Sequence, residues 1–93
     1  MGVFNRVPDR SCCEGQEVFD VALWRWWPSL FPEYTAFVIA PDAFAAVECL
    51  MRVHRVRWVA RAAAATLDGS LSYRAVEVRL GGAGQHEGVQ DKR

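Results

Sequence analysis

Cys12, Cys13 and Cys49, with His54 and His86, are the residues whose types could bind a soft metal or attack an electrophile. Zinc sites draw on pairs of ligands separated by a few residues, and the adjacent Cys12-Cys13 pair does not supply that spacing. Cys49 and His54 are five residues apart, which sets them on different faces of a helix, whereas a cysteine nucleophile needs a base within hydrogen-bond reach. Cys49 is therefore expected to be a buried, inert thiol, and His54 to complement the negative end of a helix. Glu14, Glu17 and Asp20 form a loose acidic group, but a glycosidase-like pair must be held across a cleft; a solvated edge is the better expectation. Gly81-Gly82-Ala83-Gly84 lacks the Lys-Ser/Thr and the following helix that make a phosphate loop. The chain is accordingly expected to be neither an enzyme nor a holder of a metal or cofactor.

Two clusters remain. Arg52, Arg55, Arg57 and Arg61, interleaved with His54 and Trp58, place four cations without an acid between them. Guanidinium groups beside aromatic rings can grip phosphates and stack on bases. Eleven basic side chains are nevertheless balanced by eleven acidic ones, so the overall field draws neither nucleic acid nor anionic membrane. The second cluster is Trp24-Arg25-Trp26-Trp27-Pro28-Ser29-Leu30-Phe31-Pro32, which concentrates the residue types that dominate protein interfaces. Trp24, Trp26, Trp27 and Phe31 are the expected contacts with a protein partner or a second copy of the chain. Nucleic-acid binding through Arg52, Arg55, Arg57 and Arg61 is the alternative.

These side chains must be positioned by a chain of 93 residues, enough for one domain. Hydrophobic content of 52% with 24% charged residues describes a globular composition. The odd, unspaced cysteines fit a reducing compartment. No secretory apolar core stands near the N-terminus, Arg6 occupies the position where a myristoylation signal wants Ser or Thr, and no apolar run approaches a membrane span. A cytoplasmic location is the expectation.

The fold class expected is α+β, a four-stranded, mostly antiparallel sheet in the order β-β-α-β-β with one helix on one face. Residues 1–16 are expected to be a flexible lead-in, 17–80 the domain, and 81–93 a flexible, glycine-rich tail. In 17–27, Phe19, Val21 and Leu23 alternate with Asp20, Ala22 and Trp24, which favours a strand over a helix. Alternation then puts Trp24 and Trp26 on one face and Trp27 on the other. Tyr34 to Ala40 is apolar on both faces, the mark of an internal strand. Pro41 and Asp42 open a helix over 42–54, packed through Phe44, Val47 and Met51, while Glu48, Arg52 and Arg55 face away. The β-branched Val53, Val56 and Val59 argue that the helix stops there and that 56–66 is a strand. A hairpin with 71–80, turning on a three-residue loop Asp68-Gly69-Ser70, sets Trp58, Ala60 and Ala62 opposite Leu80, Val78 and Val76 on one apolar face, and Arg61 opposite Glu77. A two-residue Asp-Gly turn is the more usual chemistry, but it would set Trp58 opposite Arg79 and Arg61 opposite Val76, and face consistency favours the longer loop.

Overall fold

The computed structural model describes residues 2–9 and 15–81, together with the backbone course of 85–91. Among the described residues, six strands and one helix follow one another as β1 (Gly2–Phe4), β2 (Glu17–Trp24), β3 (Tyr34–Ala40), α1 (Ala43–Val53), β4 (Trp58–Thr66), β5 (Leu71–Arg79) and β6 (Gln85–Asp91). They form one sheet in the order β1-β3-β2-β4-β5-β6, with every neighbouring pair antiparallel. The α+β class is as expected, but the strand count is six instead of four. Gly2–Phe4, assigned from sequence to a lead-in, pairs with β3, and Gln85–Asp91, assigned to a tail, pairs with β5. Of the two segments expected to be flexible, residues 1, 10–14, 82–84 and 92–93 lie outside the described residues, Cys12, Cys13 and Glu14 among them.

Because β3 and β4 are both antiparallel to β2, they run parallel to each other, and α1 carries the chain between them across β2. The helix begins where expected. Asp42 is its N-cap, its Oδ1 accepting from the Ala45 amide at 2.7 Å, and the helix proper starts one residue later. It ends at Val53 with His54 as C-cap and Arg55 at φ 56°, so Arg55 belongs to the exit turn and not to the helix. Ala43, Ala46, Val47, Leu50 and Met51 are buried against the sheet, while Phe44 is only half-buried. Opposite them lie Phe19, Val21, Leu23, Val38, Ala62, Ala64 and Tyr73, one contiguous apolar core. Cys49 packs half-buried at its margin.

The β4–β5 hairpin departs from the expected register. Trp58 faces Arg79, Arg61 faces Val76, and Ala62 faces Ala75, one residue away from the pairing that would join Arg61 to Glu77. Two local causes combine. The connection takes in Leu67 as well as Asp68, Gly69 and Ser70, because Thr66 organises it: the Leu71 amide donates to Thr66 Oγ1 at 3.1 Å and the Gly69 amide to the Thr66 carbonyl at 2.9 Å. Asp68 Oδ1 accepts from the Ser70 amide and the Thr66 hydroxyl, both at 2.9 Å, and these bonds hold its carboxyl down at about 2. Second, alternation resets within both strands. Val59 and Ala62, three residues apart, are both buried on the helix side, as are Val78 and Ala75 facing them. The ladder skips Ala60 and Glu77, and Glu77 takes the left-handed conformation at φ 56°. Unbroken alternation would set Val59 and Ala62 on opposite faces; the reset reconciles Trp58 opposite Arg79 with a buried Val59–Val78 pair.

Candidate functional site

One face of the sheet is covered by α1, and among the described residues the other has no helix upon it. Pairing partners in an antiparallel ladder share a face, so the register assigns Asp20, Ala22, Trp24, Arg61, Ala63, Ala65, Ser72 and Arg74 to the helix-free side. Arg61, which the sequence groups with Arg52, Arg55 and Arg57, is thus parted from them. Arg52 lies in the last helical turn, and Arg55 and Arg57 in the connection to β4; all three are exposed. Trp58, expected on the buried face, is 37% exposed beside Arg79.

The aromatic cluster is rearranged as well. Strand β2 stops at Trp24, three residues before the expected end, so alternation ceases to govern Trp26 and Trp27. The following segment is a loop closed at its base by Glu33, whose amide donates to the Leu23 carbonyl at 2.9 Å and whose Oε1 accepts from the Arg25 amide at 3.0 Å. Inside it the Ser29 hydroxyl donates to the Phe31 carbonyl at 3.2 Å. The loop folds Trp27 back toward Trp24, their rings meeting edge to face at 6.1 Å, and the Arg61 guanidinium sits 4.0 Å from the Trp27 ring centroid. Trp24 and Trp27 are therefore the pair, and Trp26 stands apart, the reverse of the sequence assignment. Trp26 is 67% exposed, Leu30 84% and Phe31 73%, with Trp27 at 51%. Leu30 is the member that sequence reading did not single out; its place in an apolar run between two prolines was the available signal.

Two hollows mark the helix-free face. One of about 280 Å³ is lined by Trp24, Trp27, Arg61, Ala63 and Arg74. The other, of about 270 Å³, is bounded by Asp20, Ala22, Ala63, Ala65, Ser72 and Arg74 among others. They share Ala63 and Arg74, and they exist because alanines occupy the outward positions in the middle of the sheet.

The remaining titratable groups do other work. His54 stacks on Tyr34 with ring centroids 4.3 Å apart. Tyr73 meets Phe44 edge to face under the helix, where burial, reinforced by the Glu48 carboxylate, pushes its phenol upward. Glu48 itself accepts from the Gly81 amide at 3.0 Å. Among the described residues no three His, Cys, Asp or Glu side chains lie together so as to hold a metal ion, and no helix is long and apolar enough to cross a membrane. The chain matches no protein-family model, no curated protein and no solved structure.

Proposed function

We propose that the chain is a non-catalytic interaction module that self-associates through the loop between β2 and β3. The observation that carries this reading is the exposure of Trp26, Leu30 and Phe31 on a loop whose base is hydrogen-bonded shut. Large apolar side chains held outward by a braced backbone lose little conformational freedom on docking, and aromatic residues supply much of the binding energy of interfaces. The core explains none of these three side chains, since α1 already fills the opposite face. A second copy of the chain offers the same loop, which a two-fold, self-complementary contact would cover on both sides.

Nucleic-acid binding through Arg52, Arg55, Arg57 and Arg61 has less support, because Arg61 lies on the helix-free face against Trp27 while the other three belong to the helix end and its exit. Sedimentation velocity across a wide concentration range tests the proposal. A sedimentation coefficient that rises with concentration supports self-association, and one that stays at the monomer value at every concentration removes it.

A further inference from the structure

We propose that the helix-free face carries a binding site for a planar aromatic carboxylate, its ring seated against Trp24, Trp27 and Ala63 and its anionic group toward Arg74. The site is separate from the self-association loop surface of Trp26, Leu30 and Phe31 and stands or falls independently of it.

Shape comes first. The hollow beside the tryptophans, at about 280 Å³, is well above the roughly 150 Å³ at which a closed cavity accepts benzene. It therefore accommodates a one- or two-ring system, and together with the adjoining hollow it reaches the lower range of small-molecule pockets, about 300–1,000 Å³. The edge-to-face meeting of Trp24 and Trp27 makes an aromatic corner, against which a flat ring can stack on one indole and abut the other. Ala63 keeps the floor low between them. The Arg61 guanidinium, held over Trp27, closes the corner.

Charge then selects the ligand. Among the described residues, the hollow at the tryptophan end is lined by the guanidinium groups of Arg61, which is engaged over Trp27, and Arg74, and by no carboxylate. Arg74 is exposed, so its planar fork is accessible to a carboxylate and can meet it with two parallel hydrogen bonds. Asp20 and Ser72 line the adjoining hollow instead. The acidic end of the trough repels an anion and accepts a hydrogen-bond donor, which orients the ligand with its carboxylate at the tryptophan end and any hydroxyl or amine substituent toward Asp20.

The test uses the whole chain labelled with ¹⁵N, titrated with 2-naphthoate and, separately, with the neutral 2-naphthalenemethanol, following the indole N–H signals. The expected result is that Trp24 and Trp27 signals shift with 2-naphthoate while Trp26 and Trp58 signals stay in place. The neutral alcohol should bind about 10-fold more weakly, the loss of one charge-assisted hydrogen bond. Arg74→Ala should weaken 2-naphthoate by a similar factor and leave the alcohol unchanged, Arg74→Lys should recover part of the loss, and Ala63→Leu should abolish both by filling the hollow. The same spectra report whether each variant is folded, and the two Arg74 substitutions lie on an exposed side chain. Static Trp24 and Trp27 signals at millimolar 2-naphthoate overturn the proposal, as do equal affinities for acid and alcohol or an Arg74→Ala variant that binds the acid as well as the parent.

Discussion

Trp26→Ala is the sharpest test of self-association, because its size can be worked out from the structure. Full burial of a tryptophan removes about 150–250 Å² from water. With Trp26 already one-third covered, at 67% exposure, an interface that seals it takes away roughly 100–170 Å² more. At about 25 cal/mol per Å² this is worth about 2.5–4 kcal/mol. Immobilising the side chain costs about 0.5–1.5 kcal/mol, which leaves about 2 kcal/mol, or roughly 30-fold in the dissociation constant, for each indole covered. In a two-fold dimer the substitution removes two indoles, and the expected weakening approaches about 1,000-fold. Sedimentation equilibrium on parent and variant measures it. Since Trp26 lies outside the core, thermal unfolding of the dilute, monomeric protein should be nearly unchanged. A variant that associates as tightly as the parent refutes the assignment of Trp26 to the interface, and a variant with lowered monomer stability shows that the loop is packing and not a contact surface.

Four further outcomes are expected. Asp42→Ala should lower the unfolding free energy by about 1 kcal/mol through loss of the helix cap, with Asp42→Asn close to the parent in urea titrations. The Asp68 carboxyl has a folded value near 2, below its ordinary 3.8, so its contribution is complete above 3.8 and is lost as pH falls from there toward 2; acid titration of stability should show this decline, and Asp68→Asn should flatten it. Glu77→Val should cost about 1–3 kcal/mol because a β-branched side chain is placed in the left-handed region, whereas Glu77→Gly should be tolerated, a contrast that chemical denaturation reads directly. Titration with single- and double-stranded oligonucleotides at low salt should show no binding that the double replacement Arg52→Ala and Arg55→Ala diminishes; a steep salt dependence abolished by that pair would reinstate the phosphate-binding reading.

The helix was legible because its signals are local: Asp42 before a 3.6-residue apolar repeat, then β-branched residues at its end. The four strands of the β2–β3 and β4–β5 hairpins were legible for the same reason. What escaped depends on pairing and local geometry that no periodicity announces. Gly2–Phe4 is three residues long and becomes a strand only because β3 offers a free edge to pair with. Gln85–Asp91 contains Gly88, and its pairing with β5 shifts register between Arg74 and Ala75, so no clean alternation is there to read. The hairpin register was missed because its deciding features, the Thr66–Asp68–Ser70 hydrogen bonds and the left-handed Glu77, are geometric. The aromatic cluster was found as a composition, and its internal arrangement was not, because the end of β2 at Trp24 decides which rings meet. Nothing in the sequence brought Asp20, Arg74 and the outward alanines together with Trp24; that grouping follows from ladder pairing alone.

The placement of β2 between β3 and β4 also decides where closing the chain costs most entropy. The β2–β3 and β4–β5 hairpins each join neighbours in sequence, and α1 closes its own turns. The β2–β4 seam is different, since it unites Phe19 with Thr66 and Trp24 with Arg61 across the whole intervening helix. Loop-closure entropy makes that seam the slowest to nucleate. Its partners along β4 are Ala62, Ala63, Ala64 and Ala65, which bury little surface to reward an early encounter. The joint that costs the most chain entropy to close is thus an alanine joint, where the sheet is thinnest in side-chain mass.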